Sequence, residues 1–111
     1  DADAMAEMRA AYPPVEHPVV VRHPDSGRRA LYVNRIFTDH LVDVPADESR
    51  ALLALLCSQA DLPEYQCRFR WTDDAVACWD NVAVQHYAAS DYWPHVRIME
   101  RASVIGTRPT A

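Results

Sequence analysis

The sequence lacks lysine, because all eleven of its basic residues are arginines. Without lysine there is no Schiff-base catalysis, no lysine general base and no phosphate-binding lysine of a nucleotide loop. Only two glycines are present, and neither belongs to a glycine-rich phosphate loop or a G-x-S-x-G nucleophile motif. Any chemistry in this chain therefore depends on histidine, arginine and acidic side chains.

Basic charge and long apolar runs are also scarce. The net charge is -5 at pH 7, and a protein whose main partner is nucleic acid needs a basic face. No apolar run approaches the roughly 20 residues that span a bilayer. The acidic, alanine-rich residues 1–11 lack the basic region that opens a signal peptide. With half of its residues apolar, the chain is expected to form one modest core.

The three cysteines, Cys57, Cys67 and Cys78, have wide spacings and no CxxC pattern. An odd number without close pairs fits neither a disulfide framework nor a zinc ribbon. Each lies in an apolar context, which predicts buried free thiols. Free thiols in turn predict a reducing, cytoplasmic compartment.

Local patterns in the first half predict two helices and a hairpin. The methionine and tyrosine spacing predicts a helix over residues 1–12. β-Branched runs predict strands over residues 17–22 and 29–34, joined by a turn at residues 23–27. A leucine-rich face predicts a helix over residues 47–60, with its first residue, an aspartate, as the N-cap.

The second half is typical of β-structure. Apolar and polar residues alternate over residues 66–71, and shorter apolar runs at residues 75–79 and 98–105 predict two further strands. Asp80 and Asn81 are typical of an Asx turn. The pattern favours a mixed α+β fold on an antiparallel sheet or jelly roll. Five or six strands are fewer than the roughly eight of a closed jelly roll, which predicts part of a larger fold.

Residues 79–101, WDNVAVQHYAASDYWPHVRIMER, contain the strongest functional signal. A neutral histidine such as His86 is the commonest protein ligand of a transition metal. Arg97 and Arg101 would share one face of a strand, roughly 13 Å apart, and could hold two anions. The alternative is that His86 is a structural or surface residue and that the arginines form a solvated charge cluster with Glu100.

A second metal-binding pattern occurs at His23 and Asp25, which spell H-x-D. With His86 they would supply the two histidines and one carboxylate of a non-haem iron site. The same residues lie at the predicted hairpin turn, and turn tips are usually solvated. The hairpin-loop interpretation is favoured over the local metal site.

Two long segments, WDNVAVQHYAASDYWPHVRIMERASVIG and HPVVVRHPDSGRRALYVNRIFT, resemble the TauD/TfdA family of Fe(II)- and 2-oxoglutarate-dependent dioxygenases. Together they cover most of residues 13–106. The resemblance implies a double-stranded β-helix (jelly roll) with helical insertions, commonly in homo-oligomers. It also implies that O2 and 2-oxoglutarate are used to hydroxylate a small anionic substrate such as taurine or another sulfonate. The alternatives are an alkyl sulfate ester or aryloxyacetate dioxygenase, or a non-catalytic β-rich interaction module.

The resemblance assigns roles to four residues. His86 matches the distal histidine ligand of Fe(II), and Arg97 matches the partner of the distal carboxylate of 2-oxoglutarate. Arg101 would face the acidic group of the substrate, and Phe37 would form an aromatic wall of its pocket. The H-x-D ligand pair of the family lies far upstream of these positions. Residues 1–111 therefore resemble the C-terminal portion of a single dioxygenase domain, expected to be inactive alone.

Overall fold

The computed structural model describes residues 6–7 and 10–111. In the described residues after position 12, regular structure consists of strands β1 (Val20–Arg22) and β2 (Arg29–Leu31) and helix α1 (Ala46–Ser58). Two 3₁₀ turns, Gln59–Asp61 and Pro63–Tyr65, follow α1. The helix predicted over residues 1–12 depends on methionines 5 and 8, which lie outside the described residues.

The predicted hairpin is confirmed, with shorter strands than the sequence indicates. β1 and β2 are antiparallel, and Val21 lies opposite Ala30. Val21 is completely buried between two exposed neighbours, as the alternation of a strand with one covered face requires. The turn closes with the Gly27 amide donating to the His23 carbonyl over 2.9 Å. Gly27 has a φ of 67°, which only glycine adopts without steric cost.

The predicted central helix is also confirmed, but its N-cap prediction is wrong. Pro45 occupies the cap position in an extended conformation, and its carbonyl accepts the first helical bond from the Ser49 amide. Asp47 instead lies in the first turn, where its carboxylate accepts a 2.8 Å hydrogen bond from Arg50. A carboxylate in the first turn still complements the helix dipole.

The buried core of the described residues is small. Val21, Val33 and Cys57 are its apolar members, and Ser49 is its buried polar residue. The Ser49 hydroxyl accepts a 2.8 Å hydrogen bond from the Leu41 amide, so its burial is compensated. This contact ties the loop before α1 to the first turns of the helix.

An ion pair connects the segment after β2 to the end of α1. The Arg35 guanidinium binds both carboxylate oxygens of Asp61 and also donates to the Cys57 carbonyl over 3.5 Å. The hydrogen bond from Arg35 lowers the pKa of Asp61 and outweighs its partial desolvation. This contact fixes the start of the turn at residues 35–37.

The three strands predicted for the second half are wrong for the structure as described. No strand forms at residues 66–71, 75–79 or 98–105. Besides the hairpin, the only β-type pairing in the described chain is a bridge between Arg22, the last residue of β1, and Thr110. Strands need hydrogen-bonded neighbours, and the described residues supply none to these segments. Their apolar side chains are left exposed. Val76, Ile98, Val104 and Ile105 are each 88–98% exposed.

The cysteine prediction is correct for one residue and wrong for two. Cys57 is buried on α1, whereas Cys67 and Cys78 are exposed free thiols. The two exposed cysteines lie in the segments that were predicted as strands and that lack a sheet to cover them. An apolar sequence context predicted burial of Cys67 and Cys78, but no strand forms in their segments of the described chain and both thiols stay exposed.

The radius of gyration, 16.6 Å, exceeds the roughly 13 Å expected for a compact domain of this length. The mixed α+β class is supported by one hairpin and one helix. The described residues form no jelly roll. Among those residues no helix is long and apolar enough to cross a membrane.

Candidate functional site

The loop that leads to His86 is attached to the hairpin turn by a histidine–aspartate contact. His23 Nε2 and Asp80 Oδ2 are 2.7 Å apart. The other carboxylate oxygen of Asp80 accepts a 2.7 Å hydrogen bond from the Val82 amide, which confirms the Asx turn predicted there. These two hydrogen bonds, with that from His23 the larger, lower the pKa of Asp80.

Both ring nitrogens of His23 are engaged. Nδ1 accepts hydrogen bonds from the amides of Asp25 and Ser26, over 3.2 and 3.1 Å. The proton of the neutral ring therefore lies on Nε2 and is donated to Asp80. No three His, Cys, Asp or Glu residues of the described chain converge on a possible metal position. The local metal site of His23, Asp25 and His86 is therefore wrong, and the favoured hairpin turn is what forms.

His86 lies on the exposed face of this loop. Its ring packs against Trp79, with centroids 4.8 Å apart and planes inclined by 47°. The indole of Trp79 donates a 3.0 Å hydrogen bond to the Asn81 side chain, so the indole is itself oriented. Within the described chain neither ring nitrogen of His86 has a hydrogen-bond partner, so the one nitrogen that carries no proton in the neutral ring can accept an external ligand.

Gln85, the residue before His86, makes a contact that the sequence did not predict. Its side-chain Nε2 donates to the Val33 carbonyl over 2.6 Å, and its Oε1 accepts from the Asn34 side chain over 3.3 Å. Val33 is 3% exposed, so the loop is anchored to the buried continuation of β2. No local pattern signals a pairing between residues about 50 positions apart.

The two arginines occupy different surroundings. The guanidinium carbon of Arg97 lies 5.4 Å from the ring centroid of Tyr92, a cation–π distance. Arg101 is exposed, and neither arginine forms an ion pair within the part of the chain described. The predicted strand face that would align them does not form. Glu100 is exposed as well, so the solvated positions expected under the alternative of a charge cluster are what the described residues show, without an ion pair among them.

Phe37 is 85% exposed in the turn at residues 35–37. The Asn34 side-chain oxygen accepts hydrogen bonds from the amides of Ile36 and Phe37, over 2.8 and 3.3 Å. Two clefts of about 160 and 280 Å³ lie beside α1, and neither is lined by Phe37, His86, Arg97 or Arg101. The described residues thus offer one available imidazole, that of His86, and no complete set of metal ligands.

Comparison with known proteins identifies the chain. Residues 2–103 match the model of the family described as "Taurine catabolism dioxygenase TauD, TfdA family". The chain is 35% identical over 91 residues to an alkylsulfatase of Acinetobacter baylyi, which covers 82% of this chain and 28% of the relative. It is 40% identical over 94 residues to an alpha-ketoglutarate-dependent sulfate ester dioxygenase of Pseudomonas putida, which covers 85% of this chain and 31% of the relative.

A third relative acts on a different class of acid by its name. The alpha-ketoglutarate-dependent 2,4-dichlorophenoxyacetate dioxygenase of Cupriavidus pinatubonensis is 37% identical over 86 residues, 78% of this chain and 30% of the relative. The chain thus spans less than a third of the length of these curated relatives. Because the family model matches almost the whole chain, this protein belongs to the TauD/TfdA family of dioxygenases.

Proposed function

We propose that the protein containing this chain is an Fe(II)- and 2-oxoglutarate-dependent dioxygenase that hydroxylates a small anionic substrate, such as taurine or another sulfonate. Family membership is the observation that carries the proposal. In the overall reaction, one oxygen atom of O2 enters succinate as 2-oxoglutarate loses CO2, and the other enters the hydroxylated substrate. Iron, when bound, supplies the activation of O2.

These 111 residues are proposed to form the C-terminal portion of one jelly-roll domain. Two observations support this. The chain covers only 28–31% of three relatives, and its predicted strands at residues 66–71 and 98–105 expose apolar side chains that a completed sheet would cover. The other two protein ligands of the iron would then come from the rest of the domain, since a facial triad needs two histidines and a carboxylate.

Within that domain His86 is proposed as the histidine ligand supplied by this portion. Its exposed ring and lack of competing hydrogen bonds leave a lone pair available, and packing on Trp79 limits rotation of the ring. A metal ligand whose orientation is held by its neighbours loses less freedom on binding. The imidazole would bind the metal as the neutral ring.

The two arginines are proposed to anchor the two acids. Arg97 would hold the distal carboxylate of 2-oxoglutarate, and Arg101 the acidic group of the substrate. A guanidinium fork matches a carboxylate, sulfonate or sulfate with two parallel charge-assisted hydrogen bonds. Phe37 would supply an apolar wall beside the carbon that is hydroxylated, since exposed aromatic surface on a fixed turn is available to a ligand.

Sulfate esters are the second candidate class of substrate. They are favoured by the alkylsulfatase and the sulfate ester dioxygenase among the relatives, at 35% and 40% identity. Aryloxyacetates are a third class, on the strength of the dichlorophenoxyacetate relative. Sulfonate, sulfate ester and carboxylate each satisfy an arginine fork, so Arg101 alone does not separate them.

The deciding experiment is a substrate panel on the full-length protein. Succinate release from 2-oxoglutarate is measured in the presence of Fe(II) and O2 with taurine, a linear alkyl sulfate or 2,4-dichlorophenoxyacetate. The proposal expects one of these acids to stimulate succinate release well above the level without substrate, with the highest kcat/KM for a sulfonate. Absence of succinate with every acid would instead favour a non-catalytic interaction module.

A further inference from the structure

We infer that the side-chain amides of Gln85 and Asn34 form a bridge that fixes the turn carrying Phe37 relative to His86. We call this contact the amide bridge. It makes Gln85 and Asn34 positioning residues, because neither is proposed to touch the metal or the substrate. The inference rests on the proposed function, since it concerns how the same site is held together.

The amide bridge joins two segments that are far apart in sequence. Gln85 donates to the Val33 carbonyl over 2.6 Å and accepts from the Asn34 side chain over 3.3 Å. Because Val33 is buried and follows β2, the bridge is anchored to the best-packed part of the described fold. The segment ending at His86 is thereby attached to the hairpin at a second point, besides the contact between His23 and Asp80.

The orientation of both amides is determined by backbone groups. The Val33 carbonyl can only accept, so Gln85 must present its nitrogen to it and its oxygen to Asn34. The amides of Ile36 and Phe37 can only donate, so Asn34 must present its oxygen to them and its nitrogen to Gln85. In this one arrangement each of the contacts pairs a donor with an acceptor.

The consequence concerns the distance between two proposed site residues. Gln85 is the immediate neighbour of His86, and the Asn34 oxygen holds the Phe37 amide. Neither of the two clefts beside α1 is lined by His86 or Phe37, and the bridge is a direct polar connection between the segments that carry them. A substrate placed against the apolar wall and beside the metal needs that separation to be constant, because small displacements of reacting groups are costly.

Two substitutions break the amide bridge in different places. Gln85→Glu keeps the size of the side chain and can still accept from Asn34, but it places an oxygen against the Val33 carbonyl. Asn34→Asp keeps the oxygen that holds the turn amides, but it removes the donor to Gln85. Gln66→Ala is the matched control, because Gln66 also donates from Nε2 to a backbone carbonyl, that of Ala60, over 2.7 Å.

The test uses the full-length protein and two readouts that do not depend on turnover. Co(II) affinity is measured by an absorption titration, and amide hydrogen exchange is followed for residues 35–37 and 84–87. Gln85→Glu is expected to weaken Co(II) binding about tenfold and to speed exchange in both segments. Asn34→Asp is expected to speed exchange at residues 84–87 with a smaller loss of metal affinity. Gln66→Ala is expected to match the wild type in both.

Turnover then separates this inference from the proposed function. If the wild type is active, each bridge variant is expected to have a higher KM for the anionic substrate than the wild type. The increase should be several-fold larger than the increase in the KM for 2-oxoglutarate. Wild-type affinity, exchange and KM values in Gln85→Glu and Asn34→Asp would overturn the inference even if the enzyme is active. A wild type without any succinate release would overturn the proposed function, while hydrogen exchange still decides whether the bridge exists. Should Gln85→Glu fold poorly, the same comparison is made with Asn34→Asp.

Discussion

At the scale of single residues, the polar contacts of this chain are oriented by backbone groups. His23 accepts two backbone amides at Nδ1 and meets Asp80 through Nε2, while Gln85 is held by the Val33 carbonyl. The chemistry of the turn was predictable, since Asp, Ser and Gly follow His23 within four residues. The partners Asp80 and Gln85 were not, because they lie 57 and 52 positions from their partners His23 and Val33 and no periodicity connects them.

The contact between His23 and Asp80 makes stability depend on acid pH. The pKa of Asp80 is lowered in the fold by the hydrogen bond from His23 and by the Val82 amide. The stabilisation is therefore complete above the ordinary carboxyl pKa of about 3.9, and it is lost as pH falls through the lowered value. The measurement is the melting temperature of wild type and of Asp80→Asn from about pH 2 to about pH 6. We expect a gap in favour of the wild type above about pH 4 that closes at the acid end; a constant gap would contradict this origin.

The two arginines are expected to separate in kinetics. Arg97→Ala should raise the KM for 2-oxoglutarate, and Arg101→Ala should raise the KM for the anionic substrate, because each removes one guanidinium partner. A charge-assisted hydrogen bond contributes about 1.5–3 kcal/mol, which corresponds to roughly 10- to 150-fold in binding. Initial rates of the full-length variants, with each acid varied in turn, are the measurement. Arg108→Ala, an exposed arginine outside the proposed site, is the control.

At the scale of elements, the hairpin and α1 were predicted because their signals are local. A β-branched run followed by turn residues, and a leucine-rich segment ending before a proline, each lie within one element. The strands predicted at residues 66–71, 75–79 and 98–105 failed for the opposite reason. An alternating pattern indicates that one face of a strand can be covered, but the covering partner is not contained in that pattern.

The hairpin turn provides a test at this scale. Gly27 has a φ of 67° with no heavy atom near an added Cβ, so Gly27→Ala introduces backbone strain without a clash. We expect a loss of about 1 kcal/mol in the free energy of unfolding, measured by urea denaturation. Gly106→Ala is the matched control, because it also has open space around it and no positive φ. Equal stability of the two variants would show that the turn tolerates alanine.

At the scale of the whole molecule, the exposed apolar side chains matter most. Val104 and Ile105 are 98% and 97% exposed. They lie in residues 98–105, a segment with the composition of a strand that pairs with no strand among the described residues. The roles proposed for the site residues come from the family resemblance, and neither cleft beside α1 is lined by any of them. The jelly roll proposed to join them needs more strands than the one hairpin that the described residues form.

Completion of the sheet can be measured in the full-length protein. If residues 66–71 and 98–105 pair with strands from the rest of the domain, their amides should be protected from hydrogen exchange by at least about tenfold over the loop at residues 80–84. The physical reason is that ladder hydrogen bonds and burial of the apolar face both slow exchange. Exchange as fast as that of the loop would contradict the jelly-roll proposal.

His86 is the residue that we propose as a metal ligand in a 2-oxoglutarate-dependent dioxygenase. The most direct test of this proposal compares wild type, His86→Ala and His40→Ala as full-length proteins, with bound Fe(II) and succinate release measured on the same samples. His40 is an exposed histidine whose side-chain hydrogen bond in the described residues is to the adjacent Asp39, so its substitution should leave both quantities unchanged. We predict that His86→Ala loses most of its bound Fe(II) and its substrate-stimulated succinate release. Wild-type iron content and turnover in His86→Ala would contradict it.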